Sequence, residues 1–370
     1  MKFGLKYIKA LDGLRAIAAL MIICFHYFRD TESDNYFFVL LAKFCTFGQT
    51  GVSLFFVLSG FLVTRVLLST KPESGYFKKF YIRRILRIFP LYYLFLILWY
   101  VLVPFFNDSD FFSFNDQIYY WIYLQDFAIT FGWKSHGPDH FWSLSVEEHL
   151  YLIWPLMIYF LSTKTLSKCI WFFVALALLV RLLLVNHNYP TSYFTFSRLD
   201  DFSLGALLAL WELNGKLKTI HANKFLIYIM SLLIPTVVLW GFVGGDHADW
   251  LQVVKFSLLA FIYFFLIGFV VTAGENHWFN RFLNWKFFNF TGKISYGLYV
   301  YHPLCFLIAK QYVGNSPLLL FAVGMISSYL ISYLSYTLFE SKFIHLKKYF
   351  EYKAVSEDQV QDKNAVDMPS

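Results

Sequence analysis

Long apolar stretches recur along the whole chain, and short polar segments separate them. A helix that crosses a membrane needs about 20 mostly apolar residues. Such spans are predicted at 11–28, 50–69, 88–106, 141–161, 169–185, 200–213, 224–243, 253–273, 292–312 and 317–339. The apolar residues do not alternate as they would in strands, so the pattern predicts an all-α, polytopic transmembrane helix bundle of about ten spans.

The charges of the polar segments indicate how the bundle is oriented. Segments rich in Lys and Arg are 1–9, 71–87, 162–168, 214–224, 274–293 and 340–353. Segments dominated by Asp and Glu are 29–36, 107–116 and 244–250. Because basic loops stay in the cytoplasm, this alternation predicts that both termini are cytoplasmic.

Two further apolar segments are ambiguous. Counting 117–131 as a span would place the basic loop 162–168 outside, so we expect it to lie at the outer interface, where its Trp and Tyr suit the headgroups. Segment 36–47 is interpreted in the same way. Residues 1–345 are predicted to form one transmembrane domain, and the polar residues 354–370 a disordered cytoplasmic tail.

The composition agrees with a membrane protein. Hydrophobic residues make up 58% of the chain and charged residues 15%, against roughly 25% charged in soluble domains. The formal charge of +7 is spread over short runs beside apolar segments, which predicts the lipid bilayer and not nucleic acid as partner. We expect a multi-pass protein of the plasma membrane, the cytoplasmic or inner membrane of a bacterium.

Nothing in the sequence indicates a metal or a permanently bound cofactor. The four cysteines form no C-x-x-C pair, and His136 and His140 lack ligand spacing to other His or Cys residues. A phosphate-cradling glycine loop and a nucleophile elbow are also missing from the sequence.

Arg15 and His26 in the first predicted span are the sharpest functional candidates, because charge inside a membrane is costly. At about 100° per residue they share a helix face, with His26 about 16 Å further out. Histidine is the usual general base near neutral pH, and here it could deprotonate an acceptor hydroxyl that attacks an activated carbonyl. The alternative is that His26 only hydrogen-bonds a neighbouring helix.

The fourth predicted span brings Glu147 and Glu148 into the membrane, because it must begin near Phe141 to reach the required length. Adjacent helical positions point about 100° apart, so one carboxylate is expected to face the interior. There it would orient a protonated His26 or bind the acceptor; otherwise the pair faces water at the interface. The same motif supplies the pocket candidates Trp142, Ser143 and Ser145.

Three arginines lie at the entry to the third predicted span: Arg83, Arg84 and Arg87. Arg83 and Arg87 share a helix face. Guanidinium groups grip phosphate oxygens in pairs, so the cluster suits a coenzyme A donor. Lipid headgroups or a plain orienting role explain it equally well.

Polar residues in two later predicted spans complete the candidate pocket: Arg198, Tyr296, Tyr299 and His302. Tyr299 and His302 are one helical turn apart, and Pro303 should kink the helix beside them. Asp200 and Asp201 lie beside Arg198 at an outer helix start, where acids favour the helix dipole, and a simple cap is the alternative role for Asp201. Polar contact between helices is the alternative role for His302.

In order, these motifs resemble those of the membrane acyltransferase-3 family, which O-acylates surface sugars. LDGLRAIAALMIICFH resembles the family's Arg-x10-His opening, and HFWSLSVEEHLYLIWPL its Trp-Ser-Leu-Ser-x-Glu-Glu motif. GVSLFFVLSGFLVT, RRILRIFPLYYL, SRLDDFSLG and KISYGLYVYHPL are similar to its other motifs. The likeness covers roughly residues 10–340, and it departs at His149, where relatives mostly carry Gln.

The resemblance implies an acyl-CoA co-substrate, acetyl-CoA by family precedent, and a carbohydrate hydroxyl as acceptor. It implies that His26 is catalytic and that Arg15 supports donor binding or the pocket. The bundle would act alone or with separate glycan-assembly proteins. A transporter or flippase of a glycan precursor or organic acid is the alternative function, but it usually needs broken helices at the midplane.

Overall fold

The computed structural model describes residues 7–29, 36–107, 111–218, 221–243, 249–313 and 316–352, and the regular elements in those ranges are helical. The α-helices are α1 Ala10–Arg29, α2 Tyr36–Thr46, α3 Gly51–Thr70, α4 Tyr76–Asn107, α5 Phe114–Trp121, α6 Gln125–Phe131, α7 Trp142–Phe160, α8 Thr163–Asn186, α9 Leu199–Leu213, α10 His221–Val243, α11 Asp249–Thr272, α12 Trp278–Leu283, α13 Lys286–Lys293, α14 Ser295–Val313, α15 Pro317–Ser335 and α16 Ser341–Leu346. The predicted all-α class is confirmed. The predicted disordered tail, 354–370, lies outside the described residues.

Seven helical segments in those ranges are long and apolar enough to cross a membrane. They are Ala10–Arg29, Tyr36–Thr70, Tyr76–Phe106, Thr163–Asn186, His221–Leu239, Asp249–Thr272 and Pro317–Phe350. The protein is therefore a multi-pass membrane protein. The count of about ten spans and the cytoplasmic position of both termini stay predictions.

The remaining predicted spans form α7, α9 and α14, which carry most of the polar motif residues. With 15 residues, α9 is shorter than a membrane span, and its first twelve residues are all buried. Because other helices rather than lipid surround α9, it can carry charged residues and still lie inside the bundle.

The two ambiguous segments differ from each other. Residues 117–131 fall in α5 and α6, which are too short to cross a membrane. This segment packs onto α4, since the Tyr92 hydroxyl donates to the Tyr120 carbonyl at 2.7 Å. By contrast, α2 continues through the 3₁₀ turn Phe47–Thr50 into α3, as one apolar helical stretch of 35 residues.

Close glycine contacts join α3 to α9. A Cβ on Gly60 would collide with the Phe202 carbonyl oxygen, and one on Gly205 with the Val57 carbonyl oxygen. Small residues let helix backbones approach this closely inside membranes. The contact brings α3 against the start of α9, where Arg198 Nη2 donates to Ser53 Oγ at 2.7 Å.

Buried ion pairs hold α8, α9 and α11 together. Arg181 pairs with Asp200 at 2.8 Å, and Ser257 Oγ donates to the same carboxylate at 2.5 Å. Arg198 pairs with Asp201 at 2.9 Å. Removing one member would leave a buried charge uncompensated, so these acids act as partners of arginines inside the bundle.

Candidate active site

Two cavities lie end to end inside the bundle. The basic cavity, about 380 Å³, is lined by Arg15, Arg83, Arg84, Arg87 and Lys347, among others. The histidine cavity, about 1040 Å³, is lined by His26, His140 and His302, among others. Both are lined by Ile22, Val52 and Tyr299, so they meet at these three side chains.

Helix α1 runs past both cavities. Leu11, Asp12, Arg15 and Ile22 line the basic cavity, and side chains between Ile22 and Arg29, among them His26, line the histidine cavity. Arg15 and His26 therefore open into different cavities, although they lie on one helix. At a rise of about 1.5 Å per residue, Arg15 and His26 lie about 16 Å apart along α1. The two cavities therefore lie towards opposite ends of the bundle.

The basic cavity carries an excess of positive charge. Arg15 is neutralised by Asp12 at 3.0 Å, and Arg65 by Glu212 at 2.5 Å. Arg84 stacks on the Tyr151 ring, with its guanidinium carbon 4.0 Å from the ring centroid.

Beyond those pairs, the acid that lines the basic cavity within the described ranges is Glu147. It shares the cavity with Arg83, Arg84, Arg87 and Lys347. Such a surface attracts an anion with several charges.

Hydrogen bonds fix the tautomers of two histidines in the histidine cavity. His302 Nδ1 lies 3.0 Å from the Leu298 carbonyl, which can only accept, so this nitrogen carries the proton. In neutral His302, Nε2 is then the acceptor for His26 Nδ1, 2.7 Å away. His26 therefore keeps a lone pair on Nε2, the requirement for a general base.

His140 joins these two rings, although its sequence spacing gave no sign of this. Its ring centroid lies 5.4 Å from that of His302 and 6.3 Å from that of His26. The Tyr299 hydroxyl donates to the His140 carbonyl and accepts from Ser143. Within the described ranges, no group of three or more His, Cys, Asp or Glu side chains could hold a metal ion.

The predicted site residues are divided between the cavities. Those in the histidine cavity are His26, Trp142, Arg198, Tyr299 and His302. Those in the basic cavity are Arg15, Arg83, Arg84, Arg87, Ser143, Glu147, Tyr296 and Tyr299. Ser145 and Glu148 line neither cavity.

Ser145 belongs to a buried polar network around Asp126. Its hydroxyl donates to Asp126 Oδ1 at 2.7 Å, and Thr195 Oγ1 donates to Oδ2 at 2.7 Å. His149 reaches the same group, since its Nδ1 lies 2.8 Å from Thr195 Oγ1. The network joins α6, α7 and the turn before α9. His149 therefore contributes to the packing of these elements through its contact with Thr195.

Comparisons with known proteins show which family the chain resembles. A family model described as an acyltransferase domain matches residues 8–337. A Staphylococcus aureus (strain COL) protein named "Putative O-acetyltransferase" is 28% identical over 92% of this chain and 58% of its own length. The O-acetyltransferase OatA of Staphylococcus aureus (strain NCTC 8325 / PS 47) is 27% identical over 91% of this chain and 57% of its own.

The chain therefore spans a little over half the length of the curated relatives it matches. No solved structure matches it.

Proposed function

Since the chain belongs to the acyltransferase-3 family, we propose that it is a membrane O-acyltransferase. It would move an acyl group from an acyl-CoA donor to a hydroxyl of a cell-surface or lipid-linked carbohydrate. The names of the relatives favour acetyl as the group. The observation that carries the proposal is the meeting of a basic cavity and a histidine cavity at Ile22, Val52 and Tyr299.

The basic cavity is the proposed donor site. Phosphate groups of coenzyme A would bind Arg83, Arg84 and Arg87, because guanidiniums grip phosphate oxygens strongly. The pantetheine arm would then extend along α1 towards Tyr299, placing the thioester where the cavities meet. By the positive-inside rule, this basic end faces the cytoplasm, where the donor is made.

The histidine cavity is the proposed acceptor site, and His26 is the proposed general base. Its Nε2 takes the proton of a sugar hydroxyl as that oxygen attacks the thioester carbonyl. The tetrahedral intermediate then collapses, the carbon–sulfur bond breaks, and the imidazolium returns the proton to the departing thiolate. The products are an O-acyl ester and free coenzyme A.

His302 is the proposed positioning residue for this base. Its Nε2 accepts from His26 Nδ1 and holds the tautomer whose lone pair can face the substrate. It also stabilises the imidazolium that forms during the attack, as the orienting member of a catalytic triad does. Aromatic side chains such as Trp142, which lines the same cavity, offer a face on which a sugar ring can pack.

The proposal is tested by mass spectrometry of surface glycans from cells with and without the gene. The expected result is one acyl mass increment per modified residue, present with the wild-type gene and lost with His26→Ala at equal protein level. Identical glycan masses in all three strains would reject acyl transfer. A change in glycan amount without an acyl increment would favour the transporter.

A further inference from the structure

The helical segment that continues from α15 runs beside α4 and lines part of the basic cavity. It comprises the π-helical turn Tyr336–Glu340, α16, the 3₁₀ turn Lys347–Phe350 and the residues up to Tyr352. Lys347 and Tyr352 line the cavity beside the three arginines of α4. The sequence pattern marked 340–353 only as a basic segment, with no part in donor binding.

Arginine contacts hold this segment in place. Arg83 Nη1 donates to the carbonyls of Lys347 and Phe350 at 3.5 and 3.4 Å. Arg83 and Lys79 also face the Tyr352 ring, at 5.7 and 5.5 Å from its centroid. Cations favour both a helix C-terminus and an aromatic face, so α4 and the segment form one continuous wall.

The charge around Lys347 is unbalanced. The charged groups that act on its half-buried ammonium are the guanidiniums of Arg87, Arg84 and Arg83. Within the described ranges, the Lys347 ammonium has no carboxylate within ion-pair distance. Like charges repel when they are gathered at a partly desolvated surface, so this cluster is stabilised by a ligand with several negative charges.

Position along α4 indicates which part of the donor Lys347 would meet. Arg83 is one turn closer to the start of α4 than Arg87 and contacts the backbone carbonyl of Lys347, and the Lys347 ammonium lies within electrostatic reach of all three arginines, Arg87 first. Tyr299 lies at the other end of the basic cavity, where the histidine cavity begins. A donor whose thioester reaches Tyr299 would therefore place its phosphate-bearing nucleotide end beside Lys347.

We propose that Lys347 binds phosphate and that residues 341–352 form the outer wall of the donor site. This inference rests on the acyl-CoA donor proposed above, and it adds a contact in the last turn of the helical segment Pro317–Phe350. Lys348 offers a matched comparison, since it is the next residue, carries the same charge, is exposed and does not line the cavity.

The test is coenzyme A binding to the purified full chain in lipid nanodiscs, measured by isothermal titration calorimetry. Lys347→Gln should weaken binding about tenfold, the size expected for one charge-assisted hydrogen bond. Lys347→Arg should stay within about threefold of wild type, and Lys348→Gln within about twofold. Lys347→Gln should also make the salt dependence of binding shallower, because one ionic contact is lost.

Two outcomes separate this inference from the donor proposal. If wild type binds coenzyme A and Lys347→Gln binds it equally tightly, the role of Lys347 is wrong and the donor proposal survives. If wild type does not bind coenzyme A, the donor proposal itself fails. Equal losses for Lys347→Gln and Lys348→Gln would show a diffuse charge effect and also overturn the Lys347 contact.

A measurement on the unmodified protein covers the case in which the variants misfold. Coenzyme A should protect Lys347, but not Lys348, from an amine-reactive reagent, with labelling of each lysine quantified by peptide mass spectrometry. Equal labelling of Lys347 with and without saturating coenzyme A would contradict the contact.

Discussion

The basic cavity and the histidine cavity differ in how their polar groups are satisfied. In the histidine cavity, His26 and His302 bond each other, and Arg198 pairs with Asp201. In the basic cavity, Arg84, Arg87 and Lys347 repel one another. A ring held by a hydrogen-bonded partner, as His26 is by His302, is suited to fixing the position of a reacting group, whereas a cluster of like charges is suited to attracting a ligand.

Under the proposed function, this difference assigns donor binding and acyl transfer to separate ends of one bundle. Variants in the histidine cavity should therefore lower kcat, and variants in the basic cavity should raise KM for the donor. A residue whose variant does the opposite would break this division.

The largest effect is expected for His26→Ala. Without the general base, kcat should fall on the order of 10³-fold, while coenzyme A still binds, because the basic cavity is untouched. The measurement is acyl transfer by purified protein in nanodiscs, with His187→Ala, on an exposed residue outside both cavities, as control. Turnover close to wild type would refute the role of His26.

His302→Ala should have the next largest effect. Losing the acceptor for His26 Nδ1 frees the base to adopt the wrong tautomer, so kcat should fall about 10²-fold with little change in donor KM. His302→Gln retains an acceptor oxygen and should recover part of the rate. A raised donor KM at unchanged kcat would mean that the two cavities are not separate in function.

Arg83→Ala combined with Arg87→Ala should affect the basic cavity and therefore donor binding. Donor KM should rise about tenfold, and kcat should stay near wild type, since two phosphate contacts are removed far from the base. Steady-state kinetics over a range of acetyl-CoA concentrations measures both constants. Lys78→Ala, on the exposed side of α4, is the control, and an effect confined to kcat would argue against phosphate binding.

Lys134→Ala should have the smallest effect, confined to stability, because the Lys134 side chain lines neither cavity. The Lys134 ammonium, 3.1 Å from Asp116, lowers the pKa of that carboxyl. At pH values above the ordinary pKa of aspartate, a lowered pKa stabilises the folded state. This stabilisation is lost as the pH falls through the lowered pKa. The variant should therefore unfold at a slightly higher pH than wild type when the solution is acidified. Thermal-shift measurements across the acidic pH range test this. An unchanged dependence of stability on pH would show that the ion pair does not stabilise the fold.

Local periodicity explains which parts of the site could be predicted from sequence. Arg15 and His26 lie on one helix, so the helical repeat alone placed them on a common face. The same rule brought Arg83 and Arg87 together on α4. Such predictions need only the geometry of a single helix.

Contacts between distant helices could not be predicted in that way. His26 and His302 are 276 positions apart in sequence, and only the packing of α1 against α14 brings them together. His140 was set aside because its neighbours in sequence are not ligands, and Lys347 because its segment looked like an orienting loop. Ser145 was placed in the pocket by its motif, whereas its hydroxyl is used by Asp126.

The junction at Ile22, Val52 and Tyr299 bears on whether ions can leak through the bundle. Two cavities placed end to end would, if they were continuous and filled with water, let ions leak across the membrane. Where the cavities meet, the lining residues that they share are two aliphatic side chains and a phenol whose hydroxyl is already bonded to the His140 carbonyl. A lining of this kind disfavours hydrated ions much more than the uncharged acyl group of the proposed reaction.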